Sequence, residues 1–405
     1  MAPVARTLKD LYPDGAFFFG RTTREAMAWN VADASKLPAY RLDATPAQLI
    51  GFAGAMAFIA HEAASTDLAL DFISHCGLPR PENLCRYRTE TEGAEQAGKL
   101  MDLGGLLVHN FGTLPQLQDR AGHLVPMAQY LHLNAKSALG EFVPQQYLPQ
   151  RRVVAAAELA EADVELPVYL KVGGAVSNGG GGAVRWCETR EQLDTVIAEF
   201  CRRLPAQTPV VIERDYGAIP SWCAGVSVLD DGLRWLGASL QLFSSPGRQA
   251  GNVMAVEGCP AELEPIAMEI GKRAHAVGYR GVAGFDIGVR CDADAVVFDL
   301  NFRPNSSTGL WLAGPGALDR TGLGVARSFY FRFDGPLEHM LDVVEAEAAQ
   351  GRIIPGSIFD AQAYKQTSDD PSTRSCLDGW MLAESLEQAN ETIARLGEEL
   401  NAKQT

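Results

Sequence analysis

Asp286 and the triplet Asp299-x-Asn301-x-Arg303 carry the residue types in this chain best suited to bind a charged substrate. They lie in two apolar stretches, 281–289 and 295–304, joined by the polar segment 290–294. That pattern predicts an antiparallel hairpin. A strand alternates its faces with period two, so Asp299, Asn301 and Arg303 share one side. Asp286 faces them across the hairpin. Two carboxylates and an amide oxygen are hard oxygen ligands of the kind that holds magnesium together with phosphates. Arg303 adds a planar fork for an anionic oxygen. The competing reading is an exposed acidic hairpin with no ligand.

A second feature is the run Gly179-Gly180-Gly181-Gly182, preceded by Ser177. Each glycine costs conformational entropy on folding, which packing alone does not repay. Unobstructed backbone N–H groups can follow the oxygens of a triphosphate, and Ser177 can donate one more bond. The alternative is a flexible hairpin. Lys171 ends the strand before this loop and could neutralise a phosphate. Walker-type Gly-Lys-Ser/Thr is absent, as is Gly-x-Gly-x-x-Gly after a strand. Arg248 sits in a polar loop, 244–252, and could bind a γ-phosphate or a substrate carboxylate bidentately. Asn305-Ser306-Ser307-Thr308 is a further polar loop after the acidic hairpin.

These groups need a scaffold. The chain reads as strands at 168–172, 183–186, 209–213 and 232–243, with helices at 189–200 and 261–277. Thr189 and Gln192 stand in capping-box positions. This pattern predicts an α+β domain with antiparallel sheet. Before it, 48–60 reads as an alanine- and glycine-rich helix and 104–112 as a short buried strand ending in a turn. After it come a strand at 327–333, helices at 337–349 and 382–400, and a polar loop at 365–374.

Composition narrows the setting. The 405 residues are 47% hydrophobic and 21% charged, enough for two or three domains. A net charge of −15 argues against nucleic acid or an anionic membrane as the main partner. No apolar run reaches the roughly 18 residues of a membrane helix, and the first residues carry no signal-peptide segment. The eight cysteines form no metal-ligand spacing, so reduced thiols in a cytoplasmic protein are expected.

Taken together, Lys171 before the glycine loop, Glu213 at the end of a strand, Asp286 and Asp299-x-Asn301-x-Arg303 resemble the ATP-grasp superfamily of ATP-dependent carboxylate ligases. Asp299 stands where the family usually has Glu. The resemblance covers roughly residues 131–320. It implies an ATP-grasp fold, α+β with α/β elements: a pre-ATP-grasp α/β domain at 1–130, subdomains at 131–212 and 213–320, and a partly helical extension at 321–405. It further implies ATP and Mg2+ as cofactors. Lys136, Lys171, Ser177, Gly179, Gly180, Gly181, Glu213 and Asp215 would then contact nucleotide, Asp286, Asp299 and Asn301 the metal, and Arg248 and Arg303 the reacting groups. Relatives carry another acid seven residues after Glu213, where this chain has Pro220, so Asp215 is the substitute considered for the ribose. The implied reaction is ADP-forming: a small-molecule carboxylate becomes an acyl phosphate, and a small-molecule amine displaces phosphate to give an amide or peptide-like bond, here in specialised metabolism. A carboxylate–thiol ligase and a non-enzymatic ATP-regulated interaction protein are the alternatives. The C-terminal helices are candidates to complete the acceptor pocket or to form a homodimer contact.

Overall fold

A computed structural model describes residues 6–27, 37–174, 182–290 and 294–403. Among them, three sheets organise the chain. The first is parallel, built from β1 (Ala16–Phe19), β2 (Ala57–His61), β3 (Leu84–Tyr87) and β4 (Leu106–Val108) in the order β3-β2-β1-β4. Its central strands are buried on both faces, as parallel strands under helices must be. Helices Asp67–His75 and Glu90–Asp102 are each capped by a threonine, Thr66 and Thr89, whose hydroxyl accepts from a first-turn amide.

The stretch expected to be a helix at 48–60 is different. A 3-10 helix runs only over Pro46–Phe52, and β2 follows. Gly54, at φ +59°, turns the chain between them, and a Cβ there would lie 2.8 Å from the Thr7 side chain. The alanines and glycines permit close packing, and burial in a parallel sheet overrides their helical pattern.

The second sheet is antiparallel: β5 (Arg151–Ala155), β6 (Val168–Val172), β7 (Val184–Cys187) and β8 (Pro209–Arg214), ordered β5-β8-β6-β7. Helix Arg190–Arg203 covers it, packing Leu193, Val196, Ile197 and Phe200 onto Leu170 and Val210. Four buried apolar side chains at roughly 1.5–3 kcal/mol each anchor that helix. Its start is fixed by the expected capping box: Thr189 Oγ1 accepts from Gln192 N at 3.3 Å, and Gln192 Oε1 accepts from Thr189 N at 3.2 Å.

The third sheet has eight strands: β9 (Ser221–Leu229), β10 (Gly232–Ser245), β11 (Arg248–Ala255), β12 (Gly281–Val289), β13 (Ala295–Asn301), β14 (Val325–Phe333), β15 (Ile353–Phe359) and β16 (Ser375–Ala383). Their order is β13-β12-β9-β10-β11-β14-β16-β15, with antiparallel pairing throughout. The residues after 321 therefore extend this sheet through the pairing of β11 with β14. Helix Leu337–Ala349 matches its expected span, whereas the last helix is Leu386–Ala402, because Leu382 and Ala383 end β16.

Helix Thr308–Thr321 seats the first sheet on the third. Its Trp311 lies over Gly225, where a Cβ would come within 2.5 Å of the indole. Gly309 admits Phe52 and Trp380 in the same way, at 2.7 and 2.8 Å. One apolar core joins Phe18, Phe52 and Phe58 to Leu310, Trp311, Phe329 and Trp380, so the sheets share a core. No described helix is long and apolar enough to cross a membrane.

Candidate functional site

The acidic hairpin forms as its alternation requires. β12 pairs with β13, and Asp286 stands opposite Asp299 with an irregularity immediately after Asp286. Leu300 and Phe302 turn into the core while Asp299 and Asn301 remain partly accessible. Behind Asp286, Gln241 and Cys223 hydrogen-bond to its carboxylate. Burial, then the facing charge of Asp299, raise its pKa to about 6. Burial also works against the Asp299 carboxylate, yet Lys136, with further help from Lys171 and Arg303, holds its pKa below the usual value. Lys136 Nζ pairs directly with Asp299 Oδ2.

Lys136 reaches this point because its segment is tied at two places. Ser137 Oγ donates to Gly173 O at 2.9 Å, at the end of β6. Asn134 Oδ1 accepts from Phe302 N at 3.0 Å, just beyond β13. Lys171 points into the same space from β6. Its ammonium donates to Glu213 Oε1 at 2.5 Å and to Phe298 O at 3.1 Å, so it spans the second and third sheets. Both partners of the Lys171–Glu213 pair are nearly enclosed, with side-chain exposures of 8% and 1%. Glu213 Oε2 is buried without a hydrogen-bond partner among the described residues. A buried acceptor in that state is suited to a ligand hydroxyl or amine.

Arg303 is buried, donates to Asn301 Oδ1 at 2.8 Å, and lies over the Phe111 ring at 4.5 Å. Lys136, Lys171, Glu213, Asp286, Asp299, Asn301 and Arg303 thus gather at the junction of the sheets. Arg248 opens β11, opposite Ser245 across the turn from β10. The preceding Gly247 (φ +71°) packs beside β7, where a Cβ would be 3.3 Å from Val184. Asp215 is committed locally: Oδ2 accepts from Trp186 Nε1 and Oδ1 from Gly217 N, both at 2.8 Å. Ser177, Gly179, Gly180 and Gly181 lie outside the described residues.

The loop 305–308 serves the hairpin. Asn305 Oδ1 accepts from Ser307 N at 2.9 Å, and its Nδ2 donates to Cys223 Sγ at 3.3 Å. Asn252 Nδ2 donates to Ser307 Oγ at 3.0 Å, and Trp380 Nε1 donates to Asn252 Oδ1 at 2.9 Å. Sequence reasoning missed Gln241 and Cys223 here, and it placed Asn252 in a polar loop where the structure has β11. It also missed Arg151, which faces Glu213 across β5 and β8 and donates to Lys136 O. An Arg-Arg pair opening a strand reads as solvent-facing, and only the strand pairing reveals the contact.

The donor set fits a divalent cation held jointly with phosphates. Two carboxylates oppose one another at close register, and burial together with their repulsion raises the Asp286 pKa, a cost that a hard cation would relieve. Among the described residues, no group of three or more His, Cys, Asp or Glu forms a protein-only metal cage. The remaining ligands would come from Asn301, phosphate and water.

Comparisons with known proteins agree with this architecture. Residues 149–301 match the family model described as L-aspartate–L-methionine ligase, ATP grasp, and residues 7–130 match the model for that ligase's N-terminal domain. Together the two models span more than half of the chain. A solved N5-carboxyaminoimidazole ribonucleotide synthetase in complex with ADP superposes with TM-score 0.56 at 11% identity, covering 96% of this chain and 97% of that one. For biotin carboxylase from Campylobacter jejuni the values are 0.54, 12%, 95% and 91%. For an L-amino acid ligase from Bacillus licheniformis they are 0.52, 11%, 96% and 98%. At these identities the superpositions establish shared fold.

Proposed function

From the premise that this chain belongs to the ATP-grasp superfamily of ADP-forming carboxylate–amine ligases, we propose that it joins two amino acids, L-aspartate and L-methionine being the first pair to test. The observation that carries this reading is the convergence of Lys136, Lys171 and Arg303 on the Asp286–Asp299 pair, within a chain whose two matched segments both bear that ligase's name.

In this proposal Lys171 and Lys136 bind phosphate oxygens and offset charge as the γ-phosphoryl group moves to the substrate carboxylate. Lys136, paired with Asp299 here, would be released towards phosphate if Asp299 held a cation. Asp286, Asp299 and Asn301 would hold magnesium, which when bound supplies charge neutralisation between the phosphates. Gln241 and Cys223 orient Asp286, so its carboxylate is aimed before the ligand arrives. Glu213 offers its free oxygen to the nucleotide. The glycine run 179–182 and Arg248 would cover the phosphates. Arg303, held by Asn301 and Phe111, faces the carboxylate being activated. The amine then displaces phosphate, and no side-chain nucleophile is needed. A cytoplasmic setting with reduced thiols belongs to the same proposal; the described cysteines are all free. No finding supports a thiol acceptor or a purely regulatory nucleotide site.

The test is a matrix of carboxylates against amines with ATP and magnesium, read by phosphate release. Release that requires both amino acids supports the proposal. Release that needs only a non-amino-acid carboxylate or a thiol contradicts it.

A further inference from the structure

Two polar side chains at neighbouring strand ends of the first sheet have no hydrogen-bond partners among the described residues. β1 and β4 lie side by side and parallel, with Phe18 opposite Val108. The chain leaves them through 20–23 and 109–112. Thr22 is fully buried, and its Oγ1 has no hydrogen-bond partner among the described residues. Asn110 is 3% exposed, and neither Oδ1 nor Nδ2 has one. Asn110 is the one described side chain with two separate buried polar atoms unmet.

The two turns adjoin: a Cβ added at Gly112 would lie 2.8 Å from Thr23 Oγ1 and 3.6 Å from Thr22 Oγ1. Backbone bonds fix both in place. Thr22 N donates to Leu42 O at 2.9 Å, and Asn110 O accepts from Tyr130 OH at 2.8 Å. The fold therefore uses the main chain of these residues and leaves the side chains unused. Buried polar groups in that condition destabilise a protein unless a ligand satisfies them. Carboxyl ends of parallel strands are where open α/β sheets receive ligands. Nearby charges are already matched, since Arg21 is paired with Asp43 and Glu90. His109, next to Asn110, is occupied by Thr113 and Val125. The turn also meets the acidic hairpin, through Phe111 under the Arg303 guanidinium.

We propose that these strand ends form a subsite for one amino-acid substrate, with Asn110 and Thr22 holding its α-ammonium and α-carboxylate beside Arg303. An amide offers an acceptor to the ammonium and a donor to the carboxylate, so both unmet atoms find partners in a single zwitterion. The polar atoms are covered in this conformation. This rests on the amino-acid ligase reading and names where one of its substrates binds.

Asn110→Leu and Thr22→Val remove the unmet polar atoms at nearly constant volume. Thermal midpoints of the substrate-free variants should hold or rise. KM for either L-aspartate or L-methionine should increase about tenfold or more, while KM for ATP stays within about twofold. The midpoint shift which that same amino acid gives the parent should disappear. Amino-acid KM values that stay within about twofold of the parent in both variants would overturn the subsite. A lowered midpoint without substrate in either variant would also overturn it, by revealing that those groups bond within the fold. A parent that turns over no amino-acid pair defeats the ligase reading itself, and the subsite with it.

Discussion

Lys171→Met separates structural from catalytic roles in one experiment. Lys171 and Glu213 form a pair with side-chain exposures of 8% and 1%. The substitution keeps the aliphatic stem and deletes the charge. Glu213 then has neither oxygen bonded to an ammonium, since Oε2 is already without a partner. Breaking a buried pair from one side costs roughly 3–5 kcal/mol. Arg151, opposite Glu213 on the neighbouring strand, offsets some of that charge, which puts the expected loss near ~3 kcal/mol. Against a typical domain stability of ~5–15 kcal/mol, this is large enough to read in a urea titration. The double variant Lys171→Met/Glu213→Leu replaces the pair by apolar groups and should recover most of the loss. ATP turnover should be lost in both. The assay is urea unfolding followed by circular dichroism, alongside ADP release, on the parent and both variants. A single variant that loses less than about 1 kcal/mol would refute the buried-pair argument, because that is the scale of an exposed pair. A double variant that regains ATP turnover would refute the nucleotide role.

Asp299→Asn should lower turnover by roughly tenfold or more and recover in part at high magnesium, whereas Asp294→Asn in the exposed turn should resemble the parent; equal effects would remove the metal assignment. Burial, with the nearby His123, lowers the His109 pKa to about 4. The folded state therefore favours neutral His109, and the stabilisation it contributes is complete above the unfolded value of ~6.5 and lost as pH falls towards 4, about 3 kcal/mol in all. His109→Gln should flatten the stability–pH curve in that window, and an unchanged slope would contradict this. Trp380→Phe removes the donor to Asn252 Oδ1 and should cost about 1–3 kcal/mol. It should also raise the magnesium needed for half-maximal turnover, because Asn252 and Ser307 brace the loop behind Cys223 and Asp286; an unchanged magnesium requirement would show that this loop does not tune the site.

The acidic hairpin was legible because polar residues at period two interrupt an otherwise apolar run, a spacing that neither a helix nor a fully buried strand produces. The capping box at Thr189 and the helix Leu337–Ala349 were legible for a similar reason: their signals are local. Strands β2, β15 and β16 were not. Each is buried almost throughout, so the alternation that marks a half-exposed strand is missing. The partners of Asp286 were also hidden. Cys223 and Gln241 come from β9 and β10, and only sheet order brings them beside β12. Thr22 and Asn110 are the extreme case, since their interest lies in the bonds they do not make.

The most direct test of the account is the identity and stoichiometry of products from one reaction containing ATP, magnesium, L-aspartate and L-methionine, resolved by liquid chromatography and mass spectrometry. The account predicts ADP, phosphate and a dipeptide with the combined mass of the two amino acids less one water, in equal amounts, with none of the three formed when either amino acid is omitted. Formation of AMP and pyrophosphate, or ADP release without an amide product across the amino-acid matrix, would contradict it.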